Sequence, residues 1–164
     1  MKLKQPDLEN PLWEFALALY SKPLVEETAI VLQNEYGVNV NILIWMCWLE
    51  KEGCRIDEDT IEGAERVIQS LHKDFVLPLR ALRKNPQLRD HSEITSTLKD
   101  AIQQAELVAE QVVMSAIYAF SQRENFKELS KINGLNVSKY LLYVEPELDA
   151  DTCAGMFAKA TQSL

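Results

Sequence analysis

Asn39-Val40-Asn41-Ile42-Leu43-Ile44-Trp45-Met46-Cys47-Trp48-Leu49 is the stretch that decides the fold. Asn39 suits a helix N-cap and Gly53 a helix stop. Between them the pattern has almost no polar face, and a helix that is apolar nearly all round must be enclosed by other elements. Trp45 and Trp48 make it the expected centre of the core. The apolar run from 42 to 49 is too short for a membrane span, which needs about 20 residues.

Working outward, the flanking segments carry helical periodicity. Upstream, Asn10 caps a helix that starts at Pro11, with Leu12, Phe15, Ala16 and Leu19 on one stripe. Pro23 opens a second helix through Val25, Ala29, Ile30, Leu32 and Tyr36, closed by Gly37. Downstream, a helix after residues 57–60 runs to about residue 84. Its expected inner positions are Ile61, Ala64, Ile68, Leu71, Phe75 and Leu82, and Pro78 within it predicts a kink. After a connection at 85–91, a helix over 92–121 is about 45 Å long. Its inner stripe reads Ile94, Leu98, Ala101, Ala105, Val108, Val112 and Ala119. These two long helices predict an antiparallel hairpin. Short helices are expected at 124–133, 138–144 and 151–161, with Gly134 capping the first. The expectation is an all-α fold: a single-domain bundle of about seven to eight helices covering residues 1–164.

Composition agrees. The 164 residues are 47% hydrophobic and 26% charged, with only 5 Gly and 6 Pro, a globular mix poor in turns. A net charge of −8 argues against general nucleic-acid binding. The N-terminus carries no apolar run of a secretory signal, and Cys47, Cys54 and Cys153 read as reduced thiols, so a cytoplasmic location is expected.

Few residues suggest chemistry. His72 and His91 form no metal-binding pair, and no nucleophile or phosphate-loop motif is present. No catalytic residue, metal site or cofactor is therefore assigned. Two groups remain. Arg80, Arg83, Lys84 and Arg89 form a basic cluster; of 17 bases in the chain these four leave 13 to face 25 acids. It reads either as helix-end complementation or as a docking patch for an acidic partner, phosphate or rRNA, with a protein the macromolecular partner expected first. The second group is a set of pocket candidates: Asn39, Asn41, Glu62, Glu106 and Glu110. Spaced carboxylates on two facing helices can hold Mg²⁺, although such residues also populate ordinary solvated helix faces. Two functional readings follow. The chain is a non-enzymatic interaction module using the basic hairpin tip, or a helical enzyme or small-ligand binder with a polar pocket near the third helix. It is expected to be a monomer or weak homodimer without a membrane segment.

Asn10-Pro11-Leu12-Trp13, Phe15-Ala16-Leu17, Leu19-Tyr20, then Tyr36-Gly37-Val38-Asn39-Val40-Asn41, and later Pro78-Leu79-Arg80-Ala81-Leu82-Arg83, resemble a family of small proteobacterial proteins classed as a domain of unknown function. The resemblance covers roughly residues 8–115. It implies a bacterial cytosolic protein and brings no activity, cofactor or catalytic residue. Its signature falls on Trp13, Tyr20, Tyr36, Asn39, Asn41, Trp45 or Trp48, Arg80 and Arg83. Packing accounts for the aromatic positions more readily than for Asn39, Asn41, Arg80 and Arg83.

Overall fold

The computed structural model describes residues 7–88 and 94–164. Helices α1 (Pro11–Tyr20), α2 (Val25–Tyr36) and α3 (Val40–Lys51) are followed by α4 (Glu58–Leu71), α5 (Leu77–Arg83), α6 (Ile94–Ser121), α7 (Leu135–Val144) and α8 (Ala150–Gln162). The fold is all-α. Its strands are a two-residue pair, β1 (Cys54–Arg55) antiparallel to β2 (Lys127–Glu128).

Helix α3 is the axis of the core, as its sequence requires: every residue from Val40 to Glu50 is buried. The Asn39 side chain accepts from the backbone N–H of Asn41 and Ile42, closing the helix N-terminus. The Asn39 N–H donates to the Tyr140 hydroxyl at 3.0 Å, tying α3 to α7. Trp45 is fully enclosed, meets Phe120 and Phe126 edge to face, and donates its indole N–H to Ser121 Oγ at 2.6 Å.

One buried charge on α3 has no counterpart in the sequence reading. Glu50 accepts backbone hydrogen bonds from Asn133, Gly134 and Asn136 at 2.8–3.0 Å. These are donors at the start of α7 that lack partners within their own helix, and the positive end of the helix dipole favours a carboxylate there. Gly134 is the N-cap of α7, at φ +81°, where a Cβ would lie 2.7 Å from the Ala154 carbonyl oxygen. It therefore starts a helix rather than ending one. The expected helix at 124–133 is absent; the segment is drawn out to pair with β1 and to deliver its amides to Glu50.

The long hairpin forms as expected. Arg83 reaches Glu106, Arg80 reaches both Glu106 and Glu110, and Gly63 lies beside Phe120, so α4 and α5 run antiparallel to α6. The phase of both helices departs from the sequence reading. Residues His72–Val76 form a π-helical turn, in which the Leu77 N–H bonds the His72 carbonyl. A π turn inserts one residue, so Val76 is buried where Phe75 was expected, and Phe75 and Leu82 are exposed. In α6, Glu106, Val113, Met114 and Ile117 are buried, whereas Leu98, Ala101, Ala105, Val108 and Ala119 lie outside.

Two predictions follow from this packing. Trp45→Ala is expected to cost about 3–5 kcal/mol, read from urea unfolding, because it empties the centre of the core and removes the donor to Ser121 Oγ, whose hydroxyl keeps its own bond to the Ile117 carbonyl. Glu50→Ala is expected to cost about 3 kcal/mol, since three amides lose a charged acceptor. Glu50→Gln, which keeps one acceptor oxygen, should cost clearly less.

Candidate functional site

The site begins with the extra residue of the π turn. Without it, the α4 phase would carry Arg80 and Arg83 off the α6-facing line. With it, Val76, Arg80 and Arg83 succeed one another at four and three residues, the spacing that faces a partner helix. Both arginines then meet the carboxylates that α6 supplies at Glu106 and Glu110, also four apart and on one face.

The resulting network is largely shielded from water. Arg80 Nε lies 3.3 Å from Glu106 Oε1, and Arg80 Nη2 lies 2.8 Å from Glu110 Oε1. Arg83 Nε bonds Glu106 Oε2, and Arg83 Nη2 is 3.3 Å from Glu106 Oε1. Asn41, buried in the first turn of α3, lines the same groove beside Glu110 and favours its ionised form. The Arg80 side chain retains only 13% of its exposure. Asn41, Glu110, Arg80, Glu106 and Arg83 thus form one continuous polar chain across three helices.

The two carboxylates differ electrostatically. Burial alone would raise the Glu106 carboxyl, but the hydrogen bonds and charges of Arg83 and Arg80 outweigh it and hold it below its ordinary value. Burial pushes Glu110 up, and Arg80 and Asn41 only partly offset this, with Glu106 adding repulsion. Tyr20 is raised by burial and by the nearby charges of Glu110 and Glu26, so its phenol keeps its proton.

This chain is the floor of a groove of about 650 Å³ between α1, α2 and α3 on one side and α5 and α6 on the other. Trp13, Leu17 and Tyr20 of α1, Ile30 of α2 and Leu107 of α6 form its walls, and Glu26 and Asp100 stand with the acidic residues of the lining. Leu17, Ile30 and Leu107 are exposed.

The two residue groups singled out from sequence therefore converge in part. Arg80 and Arg83 from the basic cluster meet Asn41, Glu106 and Glu110 from the pocket set. Lys84 caps the C-terminus of α5 and is exposed, lining a smaller depression with Leu88 and Lys99. Arg89 and His91 lie outside the described residues. Asn39 and Glu62 line a separate depression with Glu65, Gln69 and His72, so Glu62 does not face Glu106 across a shared site. Among the described residues no cluster of three or more His, Cys, Asp or Glu side chains is arranged to hold a metal ion. The Cys47 thiol is buried, which pushes its pKa up to about 12. Glu26 and Asp100 went unnoticed in the sequence because an isolated acid on a helix surface carries no signal of its own.

The network sets a stability contrast. Glu106→Gln leaves two partly buried guanidinium groups short of an anion and is expected to cost about 2 kcal/mol at pH 7. Glu110→Gln should be nearly neutral, since it removes a carboxylate whose ionisation burial opposes. The pH dependence has opposite signs. The Glu106 contribution is present above the ordinary carboxylate value of 4.5 and is lost as pH falls through its lowered folded value. Ionised Glu110 opposes folding, and that cost disappears as pH falls through its raised folded value. Urea midpoints of both variants between pH 3 and 7 check this.

No curated protein and no solved structure matches the chain. Residues 11–117 match a family described as a protein of unknown function, DUF2390. That segment contains every residue of the groove, from Trp13 to Met114, and ends within α6 before α7 and α8. With about two-thirds of its length matched, the chain belongs to the DUF2390 family.

Proposed function

We propose that this chain is a non-enzymatic binding module whose working surface is the groove beside α3, and that the groove takes a cationic group carried on an aliphatic body. The observation that carries the reading is the uneven charge of the groove. Arg80 and Arg83 are already engaged by carboxylates, while Glu26, Asp100, Glu106 and Glu110 leave the lining with more acid than base. An anionic ligand would have to displace Glu106 or Glu110 from the arginines. An ammonium or guanidinium group would instead add a partner to Glu110, and Leu17, Ile30 and Leu107 would cover the attached carbon chain. The ligand is a free alkyl amine or a lysine or arginine side chain on an amphipathic peptide; both present the same chemistry.

The first reading of the chain, a macromolecular partner docked on the basic tip, gives way to this one because Arg80 and Arg83 are turned inward. A protein partner remains compatible if it contributes the basic side chain. A Mg²⁺ enzyme is not favoured, because Glu62 stands apart from Glu106 and Glu110, and both of the latter are engaged by Arg80.

Trp13 lines the groove and reports on it by fluorescence. Hexylamine and a helical peptide with Leu and Lys four residues apart are titrated, with hexanoate as the control. A saturable change with a cationic probe, weakened by salt and lost in Glu110→Gln, is the expected result. Binding by the peptide but not by hexylamine identifies a protein partner. Equal binding of hexanoate, or full binding by Glu110→Gln, would overturn the reading.

A further inference from the structure

Two positive charges near the tip of the hairpin have no carboxylate to pair with. Arg80 and Arg83 face Glu106 and Glu110, two bases against two acids, so the shielded network balances its own charge. Lys84 and Lys99 stand outside that balance. Among the described residues neither lies within ion-pair distance of an acid, and both are exposed.

The fold brings these two lysines to one place. The Arg83–Glu106 bond fixes the register of α5 against α6. Lys84 follows Arg83 at the end of α5, and Lys99 and Gln103 lie four apart on one face of α6. The short 3-10 turn at Pro86–Leu88 contributes Leu88. With Arg83 these residues line one depression of about 280 Å³. Among the described residues its lining holds three bases and no acid. Arg83 directs Nε and Nη2 to Glu106, and its Nη1 bonds no described residue.

Helix-end complementation accounts for one of the two lysines only. Lys84, at the C-cap of α5, offsets the negative end of that helix. Lys99 lies in the second turn of α6, nearer the positive end, where the dipole gives no reason for a base.

We propose that this depression binds the terminal group of a small phosphate monoester, or inorganic phosphate itself. Two unpaired positive charges match a dianion. The lysine ammonium groups, Arg83 Nη1 and the Gln103 amide supply donors for its three terminal oxygens. A carboxylate or a phosphate diester brings one charge only. The volume is below the roughly 300–1,000 Å³ of a site that encloses a whole drug-sized ligand. The depression therefore takes an end group and leaves the body of the ester outside. A nucleic-acid strand fits worse, because it would carry further phosphates past Asp100 and Glu110 of the adjoining groove. The site is independent of the cation reading of that groove, whose lining includes Arg83 and Gln103 but neither lysine.

Titration of the isotope-labelled whole chain, followed by the backbone amide signals in two-dimensional NMR at constant ionic strength, tests this. Methyl phosphate and inorganic phosphate are the probes, with dimethyl phosphate and acetate as single-charge controls and a short RNA as the polymer. The expected result is a saturable shift centred on Lys84, Leu88, Lys99 and Gln103 with methyl phosphate. Dimethyl phosphate and acetate should bind at least about 10-fold more weakly. Lys84→Gln and Lys99→Gln should each weaken methyl phosphate by about the same factor. Both variants should melt as the wild type does, since both side chains are exposed. Shifts that sodium chloride reproduces, equal binding of dimethyl phosphate, or binding unchanged in both variants overturns the proposal. Tighter binding of the RNA, with shifts spread along the hairpin, overturns the monoester in favour of a strand.

Discussion

A proline within a long helix is the constraint from which the rest of this structure follows. Pro78 has no N–H to give, and its ring crowds the carbonyl of Asp74. The chain meets both demands with one wide turn at His72–Val76, directly before the proline. The inserted residue rotates everything beyond it by about 100° relative to an unbroken α-helix. That rotation brings Val76, Arg80 and Arg83 to the α6 side and turns Phe75 and Leu82 away from it. The ion network and the exposure of Phe75 and Leu82 are two results of the same displacement.

Once turned inward, the arginines need partners, because a guanidinium held from water is costly without an anion. Glu106 meets both at once, which explains why its charge is favoured despite its burial. Glu110 is less well served: a single arginine and Asn41 face it, and its neighbour Glu106 repels it. A carboxylate left short of positive charge beside an open groove is a plain electrostatic basis for attracting a cation.

Local signals carried much of the fold. The caps at Asn10 and Asn39, the left-handed Gly37 and the continuous apolar surface of α3 were legible because each concerns neighbouring residues. The hairpin was legible for the same reason. The phase of α6 was not, because periodicity shows that a stripe exists and not whether it faces the core or the solvent. Glu50 was invisible as well: in sequence it is an acid near a helix end, and only the fold reveals the amides more than 80 residues away that it serves. The site was half legible. Asn41, Arg80, Arg83, Glu106 and Glu110 stood out singly, but their union depended on one extra residue in a turn that periodicity cannot register.

The bonds from Glu50 to residues 133–136, from Asn136 to Ile56 and from Tyr140 to Asn39 span 80 to 101 positions of chain. Helical proteins usually fold quickly because their contacts are short in sequence. Here the hairpin can zip locally, but α3 is sealed only when α7 arrives from the far end of the chain. Closing so large a loop carries an entropic penalty before any contact rewards it. The packing of α7 and α8 onto α3 closes that loop, and without it the most apolar helix in the molecule has an open side. Glu50, which ties the start of α7 to α3, stands at that closure.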